Sequence, residues 1–177
     1  MTDRIPYTPG PATGAHINKD GETKWTLVLV REMRHSPEKV WQALTDPAQL
    51  REWAPFEVDG SLDTAGTTVK FTWVGAPVSQ QTTVTRAEPA KVLEYNDIRW
   101  ELEAFGSGTR LTLWHSIDRH YIAMSTATWH IGLDVLDRLL GGTPIPRIVG
   151  PDAMKFEGWQ RLHAEYAAQY GVKMPKW

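Results

Sequence analysis

Ser36-Pro-Glu-Lys-Val-Trp-Gln-Ala-Leu-Thr-Asp-Pro47, followed by Leu50 and Trp53, is the stretch from which the fold is read. Ser36 supplies a capping hydroxyl, and Pro37 stands at the first helical position, where a missing N–H does no harm. Glu38 adds negative charge at the positive end of the helix dipole. Val40, Trp41 and Leu44 then form one inward stripe. Asp46-Pro47 repeats the start signal ten residues later, with Gln49 placed to close a capping box. Two short helices in tandem directly after a strand are an uncommon order.

Upstream, residues 24–33 (KWTLVLVREM) read as a strand whose nearly continuous apolar run implies that both faces are covered. Residues 1–23 hold three prolines and three glycines and cannot bury enough surface to offset their ordering entropy. They are expected to form a flexible arm, or one laid extended across the domain.

Downstream, from Phe56 to Ile117, the period changes to two. Val69, Phe71 and Trp73 alternate with Thr68, Lys70 and Thr72. Ile98, Trp100, Leu102 and Ala104 alternate with Arg99, Glu101 and Glu103. Leu111, Leu113, His115 and Ile117 alternate with Arg110, Thr112 and Trp114. Weaker strands are expected over 80–86 and 91–96, around the turn at Glu88-Pro89-Ala90, and Gly106-Ser107-Gly108 marks a hairpin. Hairpin-linked strands with one apolar face make an antiparallel meander that needs a cover.

The cover is a helix between Tyr121 and Leu140, where Trp129, Leu133, Leu136 and Leu140 follow the spacing of one helical face. Ile131, Val135 and Leu139 widen that face, and Asp134 and Arg138 form an i,i+4 pair on the opposite side. Gly141-Gly142 ends the helix. A proline-rich linker, 143–151, leads to a last helix over roughly 152–170, with Phe156, Trp159, Leu162, Tyr166 and Tyr170 at helical spacing. The organisation is therefore an arm (1–23), a domain (24–142), and a linker with an added helix (143–177).

With 177 residues the chain is of one-domain size and long enough to bury a substantial core. The absence of cysteine excludes disulfides, thiolate catalysis and iron–sulfur clusters. A net charge of −2 and a pI near 6.3 argue against a nucleic-acid partner. The longest apolar runs, Leu27–Val30 and Tyr121–Met124, are too short to span a membrane, and the N-terminus lacks a secretory apolar stretch. A cytoplasmic protein is expected.

The order strand, two short helices, meander, long helix resembles the helix-grip fold of the START/Bet v 1-like (SRPBCC) superfamily, of class α+β. It is most similar to the bacterial homologues of the activator of Hsp90 ATPase. The resemblance rests on the quoted 36–47 stretch with Leu50 and Trp53, on Gly108-Thr-Arg-Leu-Thr-Leu-Trp-His115, and on Trp129-His130 with Leu133, Leu136 and Leu140. It covers residues 24–142. What it implies is a curved antiparallel sheet wrapped around the long helix, with an apolar cavity between them. Members bind lipids, sterols, polyketides or other small hydrophobic molecules, and some are polyketide cyclases or dehydratases. The family name adds a stress-response setting and regulation of a chaperone ATPase. The eukaryotic activators carry an additional N-terminal domain that this sequence lacks, which ranks that reading last. Fold alone is weak evidence for function.

His115 is the candidate for chemistry, because alternation puts it on the same face as Leu111 and Leu113. A neutral imidazole there can bond a ligand oxygen or act as general base. The alternative is a histidine tied to a neighbouring group at a strand end. His115, His120 and His130 with Asp118 invite a metal reading, but their spacing crosses a strand, a connector and a helix, and His130 falls beside Asp134 on the polar face. No metal and no cofactor are expected. Glu101 and Glu103 point to solvent beside Arg99, and Arg119 is a candidate guard of a cavity mouth. Trp41 and Trp53 read as helix packing. The expected cavity is lined by Phe71, Trp73, Trp100, Leu102, Leu113, His115, Trp129 and Leu133, unless the rings simply fill the space. Trp114 alternates outward, to be covered by the C-terminal helix or by a second subunit in a homodimer. The partner is expected to be a small hydrophobic molecule.

Overall fold

A computed structural model of the chain describes residues 7–174. The first six residues of the expected arm and the last three of the C-terminal segment, Trp177 included, lie outside them. The elements run β1 (Ala15–Asn18), β2 (Lys24–Met33), α1 (Pro37–Thr45), α2 (Pro47–Trp53), β3 (Phe56–Val58), β4 (Thr68–Trp73), β5 (Gln80–Thr83), β6 (Arg86–Glu88), β7 (Val92–Tyr95), β8 (Ile98–Phe105) and β9 (Gly108–Asp118). One 3-10 turn, Arg119–Tyr121, then leads into α3 (Ile122–Leu140), α4 (Gly150–Met154) and α5 (Glu157–Tyr170).

The start signals act as the sequence implies. Ser36 Oγ accepts the N–H of Lys39, and Asp46 Oδ1 accepts that of Ala48 at 3.1 Å. The expected capping box of α2 does not close. The Asp46 N–H already donates to Gln42 O as the last bond of α1, so Gln49 has no donor to satisfy.

Six strands form one antiparallel sheet in the order β1-β2-β9-β8-β7-β6, and β3-β4-β5 form a second. The expected strand over 80–86 divides at Val84-Thr85, where the chain passes from the small sheet to the large one. Register places Leu29, Leu113 and Trp100 in one row on the inner face, with Leu27, His115 and Ile98 in the next. The adjacent outer row runs Val28, Trp114, Arg99 and Glu94. Arg99 pairs there with Glu94 and Glu101, so the β7–β8 part of the outer face is a charged row. The β8–β9 turn brings Gly108 against β2, where any Cβ would lie 2.0 Å from Met33 O; only glycine fits.

The long helix α3 lies in the concave face, burying Trp129, Leu133, Leu136 and Leu140. Beneath it the centre of the grip is filled by rings. Trp53, Trp100, Phe56, Phe71 and Tyr95 are fully buried, with Phe56 stacked on Phe71 at 4.6 Å and Trp53 edge-on to Trp100 at 6.1 Å. Each such ring stabilises the fold by roughly 2–3 kcal/mol through area alone. The indole N–H groups are satisfied as well: Trp53 donates to Ala43 O at 3.0 Å and Trp100 to Tyr95 Oη at 3.1 Å.

Residues 7–18 lie extended across the domain. Ala15–Asn18 adds an edge strand to β2, and the preceding residues are laid across α3 and α5. Tyr7 is buried, its hydroxyl bonded to Asp134 and its ring held between Phe156 and Arg138. Gln169 Nε2 donates to Ala12 O at 2.7 Å, and the Ala12 N–H donates to Glu165 Oε1 at 3.1 Å. The side of α3 towards β2, the arm and α5 is therefore covered, which alters two expectations. Asp134 pairs with Arg31 of β2 rather than with Arg138. His130 is buried, not on a solvated face, with Nδ1 at 2.7 Å from the Tyr166 hydroxyl. The single last helix is also two, α4 and α5, broken at Lys155-Phe156.

Candidate functional site

At one end of the grip, between the last residues of β9 and the first turns of α3, a cleft of about 570 Å³ remains unfilled. Its deep wall is Trp73 at the end of β4, His115 on β9 and Trp129 on α3. The opposite wall is built by the segment after α3: Pro151 and Met154 of α4 and Trp159 of α5. Gly75 carries the contact between those walls. Its φ is +91°, and a Cβ there would lie 2.7 Å from Pro151 Cδ. The rim is polar, formed in part by Lys24, Asn96, Asp97 and Asp118. Lys24 Nζ is 3.4 Å from Asp97 Oδ2, and Asp118 Oδ1 accepts from the His120 N–H at 2.8 Å.

His115 is the one buried titratable group in that wall whose bonding is half complete. Trp73 stacks on its ring at 5.6 Å with 25° between planes, and Trp129 meets it edge-on at 5.9 Å. The Trp129 Nε1–H donates to His115 Nδ1 at 3.1 Å. An indole nitrogen can only donate, so Nδ1 is bare and the single proton of the neutral ring is on Nε2. Nε2 has no hydrogen-bond partner among the described residues, and it is not sealed in the core. Desolvation lowers the His115 pKa to about 4, with Asp97 opposing and Lys24 assisting, so the ring is uncharged at neutral pH.

The eight residues expected to line the cavity divide by depth. Trp73, His115 and Trp129 line the cleft. Phe71, Trp100, Leu102, Leu113 and Leu133 face inward as alternation requires, but they are packed in the filled centre and do not line it. Arg119 is not at the mouth; Tyr121 and Asp118 are. Trp159, Met154 and the Asn96-Asp97 turn escaped the sequence reading. The only signal for that turn was the Asn-Asp pair itself, which takes φ of +47° and +61° to close the β7–β8 hairpin. Among the described residues no group of three His, Asp or Glu side chains is placed to hold a metal ion. His120 is bonded to Asp118, and His130 lies under α5. No helix among them is long and apolar enough to cross a membrane.

A six-stranded antiparallel sheet closed on a long helix, with a cleft at the end of the grip, is the helix-grip architecture of the SRPBCC superfamily. The family described as Activator of Hsp90 ATPase homolog 1-like protein matches residues 34–141, and the chain belongs to it. No curated protein sequence matches the chain. Solved structures share the fold at low identity. A conserved protein of unknown function from Enterococcus faecalis is 17% identical, with a TM-score of 0.63 over 88% of this chain and 89% of its own. CalU16 from Micromonospora echinospora is 22% identical, with a TM-score of 0.60 over 88% of this chain and 93% of its own. The Aha1 dimer from Colwellia psychrerythraea, a solution structure, is 23% identical, with a TM-score of 0.56 over 67% of this chain and 97% of its own.

Proposed function

We propose that the chain binds a small, largely apolar molecule in the cleft at the N-terminal end of α3. One observation carries the reading: His115 Nε2, a donor without a hydrogen-bond partner among the described residues, stands in the wall of a cleft of about 570 Å³ framed by Trp73, Trp129 and Trp159. Aromatic walls with a few convergent polar groups are the usual make-up of a small-molecule site. A lipid, polyketide or aromatic compound would meet this wall with its rings or chain and bond His115 through a polar atom.

A cyclase- or dehydratase-like activity using His115 is the second reading, favoured by the same residue. The donor that Nδ1 already accepts weighs against a general base, because a base needs its bare nitrogen towards the substrate. Regulation of a chaperone ATPase draws support from the family description alone and ranks third. Self-association is part of the proposal, since one structural neighbour is a dimer and Trp114 lies half-buried on the outer sheet face under Arg99.

Titration with 6-propionyl-2-(dimethylamino)naphthalene, an uncharged apolar fluorophore that carries a carbonyl acceptor and no donor, tests the binding reading. The wild-type protein is expected to enhance and blue-shift its emission saturably. Ser125→Phe, which fills the cleft from α3 at a half-buried position, is expected to weaken that signal at least tenfold. Equal binding by both proteins would refute the assignment of the cleft.

A further inference from the structure

We infer that Trp129 is a positioning residue: by donating its indole N–H to Nδ1 it holds His115 as a hydrogen-bond donor, so the cleft selects uncharged molecules presenting an acceptor oxygen over those presenting a donor. The inference rests on the ligand-binding reading and names the chemistry that such a ligand must carry.

Indole N–H has no acceptor lone pair, so the 3.1 Å contact fixes the direction of the bond. A neutral imidazole with a bare Nδ1 keeps its proton on Nε2. Flipping the ring would put a C–H against the Trp129 donor, and Trp129 is fully buried, so that donor would lose its one partner among the described residues. Trp73 stacks on the ring face at 5.6 Å, a second contact that favours the same ring plane. The result is one orientation and one tautomer, held by two rings on different elements. A ligand atom reaching Nε2 therefore meets a donor.

Charge at the rim narrows the class further. Two carboxylates, Asp97 and Asp118, face one ammonium, Lys24, which is already paired with Asp97. An anionic acceptor would enter against that balance, with no unpaired Lys or Arg among the described lining residues to meet it. An uncharged carbonyl or ether oxygen is compatible with both the rim and the wall, whereas a ligand N–H or O–H aimed at Nε2 would leave two donors facing each other.

The test uses the full chain and three molecules of nearly one shape: 9-fluorenone carries an acceptor, fluorene carries neither group, and carbazole carries a donor. Fluorenone is expected to bind roughly three- to tenfold more tightly than fluorene, the worth of one neutral hydrogen bond, and carbazole more weakly than fluorene. Nitrogen-15 spectra of histidine-labelled protein give an independent reading, with His115 assigned by its loss in His115→Gln. The wild type is expected to show a protonated Nε2 and a bare Nδ1 before any ligand is added. Trp129→Phe keeps a ring but removes the N–H. In it the tautomer preference is expected to relax and the fluorenone advantage to fall to about twofold or less. Should that variant fail to fold, the wild-type tautomer and the three-molecule series still decide. A proton on Nδ1 in the wild type overturns the inference, and equal affinities for the three molecules overturn its selectivity while leaving binding in the cleft intact. Failure of all three to bind, with the tautomer as stated, overturns the ligand reading and the selectivity with it.

Discussion

Acidification from pH 7.5 to 5 should remove stability through two buried histidines. Burial lowers the pKa of both His115 and His130 to about 4, with Asp134 opposing the shift at His130. In the unfolded chain the same rings titrate near 6.5. Between those values the unfolded state binds protons that the folded state refuses, so stability falls as pH drops through 6.5 and levels off below about 4. From 6.5 to 5 is one and a half units at about 1.4 kcal/mol each, or about 2 kcal/mol per histidine and about 4 kcal/mol for the pair. That is a large fraction of the 5–15 kcal/mol typical of a whole domain. His163, lowered by burial too, adds in the same direction. Asp118 and Glu165 are held low by hydrogen-bond donors, so their contribution is lost mainly below pH 5. Urea denaturation at half-unit pH steps measures the slope, and His115→Gln and His130→Gln should each flatten it by a similar amount. Either variant also loses a hydrogen bond and starts from a lower plateau, so the slope is the quantity compared. A wild-type stability that stays flat from pH 7 to 5, or a slope unchanged in both variants, would refute the reasoning.

Three other outcomes follow from single contacts. His163 Nε2 is buried with no hydrogen-bond partner among the described residues, so His163→Leu should raise stability by about 1 kcal/mol in the same denaturation assay. Gly75→Ala forces a Cβ against Pro151 and a positive φ on alanine; a loss of about 1–3 kcal/mol is expected, with a shift of α4 that weakens fluorophore binding in the cleft. Tyr7→Phe removes the bond to Asp134 but keeps the ring between Phe156 and Arg138; it should cost about 1–2 kcal/mol and speed amide exchange in β1.

Much of the fold was legible because it is written in local signals. Ser36-Pro37 and Asp46-Pro47 announce α1 and α2, the alternation through Val69, Trp100 and Leu113 announces the sheet, and Gly141-Gly142 closes α3. The first strand was not legible. Four residues, Ala15–Asn18, have no pattern of their own; they pair with β2, and the chain just before them is tied at Ala12 to Gln169 and Glu165, about 150 positions away. His130 was misplaced for a related reason: helical phase shows which residues avoid the sheet, but not that α5 and Tyr7 cover that side. The break at Lys155-Phe156 is hidden by an apolar spacing that runs through it unchanged.

The candidate site shows the same division. Alternation states which side chains face inward but not where along a strand the interior stops being full. Phe71, Trp100, Leu102, Leu113 and Leu133 share the inward face with Trp73, His115 and Trp129, yet only the latter three reach the open end. The outer wall comes from α4 and α5, elements whose docking no periodicity encodes.

The indole N–H signals of the nine tryptophans provide the most direct measurement of whether that open end is the binding site. On titration of nitrogen-15-labelled protein with 9-fluorenone, Trp73, Trp129 and Trp159 should move together and saturate at one dissociation constant. Trp41, in the helix packing, and Trp114, on the outer sheet face, should stay in place. Saturable shifts at Trp114 or Trp41 with Trp73, Trp129 and Trp159 unmoved would contradict the account.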